Sequence, residues 1–324
     1  PGETVESYFE GQKFLMNNNV QPDTYTLMLL CGAELGRDRA IRNYKMKSKF
    51  RLLPKGFGKY RGKSILELEE ICVETNTMSF EGYLKCRNYS LLVRLLNHKL
   101  FEPIYKLTKK LNINWFDLIK AFDTRVSDKN FKGNLKDYYD SFSAESSDEC
   151  FETEESLKEY YLKPENFNAV LIGEKGENLS KKYLAKGLYI YNDVVETVFH
   201  VIRNELINRD DSETIEILSS AEKWLKNIHM IHEVFAENAE EKDKFDLEIN
   251  FDFPAWLEKE EQPLSKFKKQ STYKLSYDMR EVKDLRASIA EQYGNDKQVA
   301  FVKYLTHTSN FGADIMQKNS QKKH

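Results

Sequence analysis

Four cysteines and six histidines are the residues of this 324-residue chain best suited to hold a metal or act as nucleophiles. Cys31, Cys72, Cys86 and Cys150 stand 41, 14 and 64 residues apart. That spacing matches neither a disulfide framework nor a closely spaced metal knuckle, so all four read as reduced, packed thiols. The histidines are scattered, and only "HMIH" sets two of them, His229 and His232, three residues apart on one expected helix. No carboxylate or thiol completes a metal set around them, which makes them ordinary helix-face histidines. A nucleophile elbow, a P-loop, a dinucleotide-binding glycine fingerprint and a zinc-protease helix motif are all missing. The densest remaining signal is "PKGFGKYRGK" at 54–63, where Gly56, Gly58 and Gly62 alternate with Lys55, Lys59, Arg61 and Lys63. Glycine lets backbone N–H groups approach an anion and the cations supply charge, so this is a candidate phosphate contact, with a solvated hairpin loop as the alternative.

Three regions position these residues. In 1–75, Thr4 can cap a helix whose apolar residues Val5, Tyr8, Phe9, Phe14 and Leu15 follow helical spacing. "TYTLMLL" then reads as a strand buried on both faces, because its second half is continuously apolar. "CGAEL" turns out of it and "AELGRDRAIRNY" suggests a short helix. That order of helix, buried strand, turn and helix belongs to a parallel α/β sheet or barrel. "KFRLL" and "KSILELEEICVET" are further extended candidates. The region 76–240 reads as mostly helical, with a broad apolar stripe through Phe80, Tyr83, Leu84, Leu91, Leu92, Leu95 and Leu96. Within it, the acidic, Ser-rich "DSFSAESSDECFETEESLKEY" reads as a mobile loop. The region 241–324 reads as a small α+β module: an edge strand before Pro254, a matching strand at "STYKLSYD", two helices and a frayed basic tail.

Composition narrows the partners. Lys and Arg number 49 against 52 Asp and Glu, so no net field points to a polyanion, and no nucleic-acid partner is expected. The longest apolar runs fall well short of the roughly 20 residues of a membrane span, and no signal peptide is visible. A cytoplasmic protein is the expectation.

The opening run changes the interpretation. "PGETVESYFEGQKFLMNNNVQPDTYTLMLLCGAEL" resembles the closing part of the radical S-adenosylmethionine (SAM) core, in which a strand runs into Pro-Gly-Glu-Thr and a helix leads to the final barrel strand. The turn after that strand, Cys31-Gly32-Ala33, keeps the glycine but departs from the usual proline and threonine. "ELEEICVETNTMSFEGYLKCRNYSLLV" and "FDFPAWLEKE" are similar to the C-terminal extension of the subgroup that carries a cobalamin-binding domain. The resemblance implies α/β plus α+β architecture: the last helix and strand of a partial (β/α) barrel, then a mostly helical extension and a small α+β module.

It also implies that Gly2, Glu3, Thr4, Leu29 and Leu30 lie near SAM, and that the complete enzyme uses a [4Fe–4S] cluster, cobalamin and a reductant protein. The cluster is held in that family by a Cys-x-x-x-Cys-x-x-Cys loop, and no cysteine pair here has either spacing. The chain is therefore expected to be a C-terminal piece that is inactive alone. No catalytic residue and no metal ligand is assigned. Tyr60, Phe80, Phe253 and Trp256 are candidates to line a substrate pocket. The competing expectation is a non-catalytic helical interaction module.

Overall fold

The computed structural model describes residues 2–206, 212–229, 244–307 and 318–323. It is a mixture of helices and two small sheets, in which every described strand pair is antiparallel. The chain divides into two compact units, Pro1–Arg94 with Lys136–Tyr183, and Leu95–Leu135 with Leu184–His324.

The first unit opens with α1 (Val5–Asn17), started as expected by Thr4. Its hydroxyl accepts from the Ser7 amide at 3.0 Å while the Ser7 hydroxyl accepts from the Thr4 amide at 2.9 Å, so two orphan donors of the first turn are satisfied. A 3-10 turn and α2 (Asp38–Tyr44) lead into a two-stranded ribbon, β1 (Lys47–Tyr60) and β2 (Lys63–Glu74). α3 (Phe80–Leu96) follows, with Tyr89, Leu92 and Leu95 fully buried. Later in the chain α6 (Asn134–Asp148), α7 (Glu154–Tyr161) and α8 (Pro164–Leu171) return to this unit.

Several expectations are corrected here. "TYTLMLL" is not a doubly buried strand. Residues 24–30 are extended and make a single antiparallel bridge, Met28 to Ile71, through Leu29 N to Glu70 O and Cys72 N to Leu27 O, both 2.9 Å. Leu29 is 8% exposed and packs on Met46 and Cys72, whereas Met28 and Leu30 are 43% and 56% exposed. The segment obeys the alternation of an edge, and its apolar composition concealed that.

The basic Gly stretch is no loop either. β1 runs through it, with a register break between Leu52 and Phe57, and the turn itself is only Arg61-Gly62, both at positive φ. The Ser-rich acidic segment forms α6 and α7 instead of a mobile loop. Phe142, Leu157 and Tyr161 are buried, and Thr153 builds a second capping box with Ser156.

The second unit holds α4 (Glu102–Lys110), α5 (Trp115–Ser127), α10 (Tyr191–Glu205) and α11 (Ser212–Ile228). Its sheet pairs β3 (Lys244–Ile249) with β4 (Ser271–Ser276), the two strands expected from the alternating pattern. Part of the tail expected to fray is instead β5 (Asn319–Lys322), paired to β4. It stays because Lys322 reaches the fully buried Asp252, which also accepts from Ser271 at 3.0 Å and Tyr273 at 2.6 Å. His229 ends α11 edge-on to Tyr191, and its expected helical partner His232 lies outside the described residues.

Candidate functional site

A cavity of about 280 Å³ lies wholly within the first unit. Its walls come from the residues just before α1, the extended segment 24–27, the inner half of the ribbon, α3, and residues 177–180.

α1 and α3 hold the extended segment from both sides. Tyr8, 5% exposed, donates from its hydroxyl to Cys86 O at 3.2 Å and lies 3.5 Å from Thr24 Oγ1. Gln12 donates to the same Thr24 hydroxyl at 3.3 Å. Thr26 Oγ1 sits 3.3 Å from the Tyr83 hydroxyl. The backbone of 24–27 is thereby presented to the cavity with its hydroxyls engaged and its polypeptide edge fixed.

α3 supplies the polar wall. Tyr83, Arg87, Ser90 and Arg94 fall at intervals of three and four residues, with Cys86 next to Arg87, so they form one stripe beside the buried leucines. Arg87 is nine-tenths buried. It donates to Tyr83 Oη at 2.9 Å and pairs with Glu149 at 2.5 Å. Burial works against its charge, but the Tyr83 hydroxyl and the Glu149 carboxylate outweigh that and raise its pKa, so it stays cationic. Glu149 also takes Arg51 from β1 at 3.3 Å, and Arg51 pairs with Glu69 across the ribbon. A carboxylate at the end of α6 thus clasps α3 to β1. Arg94 pairs with Asp23 at 2.5 Å, tying the other end of the stripe to the approach of segment 24–27.

Two thiols, Cys72 and Cys86, also line the cavity. Burial raises the Cys72 pKa, so at neutral pH it is a thiol and not a nucleophilic thiolate. Cys150 is buried outside the cavity wall with its pKa pushed up to about 11, and Cys31 is exposed. Among the described residues no three His, Cys, Asp or Glu side chains gather as a metal set. These residues do not fit a [4Fe–4S] cluster, and no step is assigned to one here.

The expected SAM-side residues separate. Glu3 reaches the cavity wall. Gly2 takes φ of 81°, a left-handed conformation that glycine adopts without a Cβ penalty. Thr4 is occupied as the cap of α1. Leu29 is packed behind the cavity wall and Leu30 faces outward. None of Tyr60, Phe80, Phe253 and Trp256 lines this cavity. Tyr60 is 61% exposed, Phe80 packs behind β2, and Phe253 and Trp256 are fully buried in the second unit, stacked on each other at 5.6 Å. Arg51, Arg87, Arg94 and Glu149 were missed from sequence. The signal available was the polar stripe in α3, masked by the stronger apolar one.

What the arrangement can do is bind. A cavity with three guanidinium groups, four wall carboxylates at Glu3, Glu74, Glu149 and Glu177, and a threonine and tyrosine row offers orientation to a polar ligand. No family model matches the chain, and no curated protein matches it.

Proposed function

We propose that this chain is the C-terminal part of a radical SAM enzyme of the cobalamin-binding subgroup, and that the cavity forms part of the chamber in which its substrate meets the cofactor. The observation that carries the proposal is where the Pro-Gly-Glu-Thr run leads. Of the five residues that the resemblance puts beside SAM, Glu3 alone lines the cavity, and it does so together with Thr24–Leu27, the first part of the strand Thr24–Leu30 that the resemblance also places there.

The outer edge of that segment supports the same conclusion. The amides of Thr26 and Met28 make no backbone bond among the described residues, and Phe14, Val20, Tyr25, Met28 and Leu30 are 68%, 49%, 78%, 43% and 56% exposed. An open strand edge flanked by exposed apolar side chains is a surface that folded proteins ordinarily cover. In the proposed parent, the preceding barrel strand covers it, turning the lone bridge at Met28 into the last strand of the barrel.

In that enzyme a [4Fe–4S] cluster with SAM would supply radical chemistry and cobalamin would supply methyl transfer, the outcome the subgroup implies. The residues of this chain would bind and shield. Glu3 and the backbone of 24–27 face the SAM side, while Arg87 and Arg94 orient polar groups of the substrate against the α3 wall.

Anaerobic isolation of the polypeptide from its native source tests this. The expected result is about four irons per chain, the stoichiometry of a [4Fe–4S] cluster, and formation of 5′-deoxyadenosine from SAM on reduction. An iron-free native protein that leaves SAM intact would refute it. Reconstituted with iron and sulfide, the chain of 324 residues alone is expected to show no SAM-dependent cluster spectrum.

A further inference from the structure

The β1–β2 ribbon handles charge differently in its two halves. In the half beside the cavity each cation has a partner: Lys47 with Glu74 at 2.6 Å, Lys49 with Glu152, and Arg51 with Glu69 and Glu149. Beyond Leu52 the pattern stops. Lys55, Lys59, Arg61 and Lys63 are all exposed and have no ion pair among the described residues, and Glu67 is the one carboxylate between Leu53 and Leu68.

The strand register sorts the remaining side chains of this outer half. Phe57 pairs with Leu66, and both pack on the core of Leu52, Leu157, Tyr161 and Val170. Alternation then places Gly58, Tyr60, Lys63 and Ile65 together on the other face, with Gly58 opposite Ile65 and Tyr60 opposite Lys63. Tyr60 is 61% exposed, and the Arg61 guanidinium lies 5.4 Å from its ring centroid.

Gly58 is the informative neighbour. It does not take positive φ, and a Cβ built on it would meet nothing within 4 Å. Neither backbone conformation nor packing among the described residues requires a glycine there. Its lack of a side chain leaves an open step beside an exposed aromatic ring, with Lys63 on the same face, Arg61 in the turn and Lys59 at the rim on the Phe57 face.

We propose that the ribbon tip binds single-stranded nucleic acid, with a base stacked on Tyr60 over Gly58 and with Lys55, Lys59, Arg61 and Lys63 on phosphates. Stacking on an aromatic face combined with a cationic rim is the general means of holding unpaired nucleotides, because each base has a π-face and each linkage a charge. The near-balance of charge over the whole chain hides this cluster, so the expectation of no nucleic-acid partner does not extend to the tip. An anionic membrane is the poorer match. Only Tyr60 and Ile65 are exposed large apolar side chains at the tip, too few to insert among acyl chains.

Fluorescence anisotropy with the full chain and labelled oligonucleotides of about 12 nucleotides, within the span of known single-strand sites, tests the proposal. Saturable binding is expected. The slope of log affinity against log salt should be about −3, from roughly 0.7 per phosphate over four contacts. The combined variant Lys55→Gln, Lys59→Gln, Arg61→Gln, Lys63→Gln should bind at least roughly tenfold more weakly and lose most of that slope. Tyr60→Ala should weaken binding several-fold, Tyr60→Phe should retain it, and Gly58→Val should weaken it by covering the ring. All these positions project from the core, so unchanged thermal melts will show that the variants fold. Absence of saturable binding by the native chain, or equal binding by the combined variant, would overturn the proposal. So would loss of phosphatidylglycerol-vesicle binding in that variant while oligonucleotide binding is untouched, which would assign the tip to a membrane.

Discussion

Asp252 ties two strands of the second unit together. It is fully buried and accepts from Ser271, Tyr273 and Lys322, which come from β4 and β5. Burial raises its pKa, but those bonds outweigh the burial and leave the pKa below the ordinary value of 3.8. Its contribution is therefore complete above that value and lost as pH falls through the folded pKa. Asp252→Asn is expected to destabilise by about 3 kcal/mol, because the Lys322 ammonium keeps its place and loses its counter-charge. Urea unfolding followed by tryptophan fluorescence is the measurement.

Two histidines add a second pH dependence at higher pH. Burial, and then the neighbouring Lys99 charge, lower His98 to about 4; burial, then Lys318 and His98, lower His229 to about 4. Above 6.5 both are neutral in either state. Between 6.5 and about 4 the unfolded chain takes up protons that the folded chain refuses, so stability should fall across that window. The slope should shrink by up to one proton in His229→Leu, because the proton that the unfolded chain takes up at His229 is then gone. Unfolding free energy measured across the window decides, and an unchanged slope would count against the burial of His229.

Among elements, the ribbon and α8 meet at a glycine that has no freedom to change. Gly176 sits at φ of 74°, and a Cβ there would come within 2.7 Å of Leu52 Cδ2 and 3.3 Å of Phe57 Cε1. Gly176→Ala should cost about 1–3 kcal/mol through strained backbone and overpacking. Gly58→Ala, which meets nothing, should stay within about 0.5 kcal/mol of wild type. The contrast separates a glycine required by the fold from one that the fold leaves open.

The elements also show what was legible in the sequence. α1 could be read because its cap is made by Thr4 and Ser7, three residues apart. α3 was legible as a helix from its leucines, but Tyr83, Arg87, Ser90 and Arg94 share that period, and the apolar stripe drew attention away from them. Residues 140–160 read as a loop because serine and glutamate dominate, although Phe142 and Leu157, with Tyr161 just beyond, anchor two helices. β5 could not be read locally at all. Its pairing with β4 joins residues more than forty apart, as Tyr273 with Lys322, and its link to Asp252 joins residues seventy apart.

For the molecule, thiol chemistry offers a direct check of the packing. Cys31 is exposed, whereas Cys72, Cys86 and Cys150 are buried. A thiol reagent should titrate Cys31 alone in the native protein and all four after unfolding. Fast reaction of Cys72 or Cys86 in the native protein would contradict their burial.

The cavity, Glu3 and the uncovered edge at Met28 and Leu30 are the observations behind the proposal that this chain is the C-terminal part of a radical SAM enzyme. The most direct measurement is the sequence of the coding DNA on the 5′ side of the Pro1 codon. The reading frame is expected to continue upstream through a Cys-x-x-x-Cys-x-x-Cys loop and several further strands. An in-frame stop between the Pro1 codon and any such loop would contradict the assignment to a radical SAM enzyme.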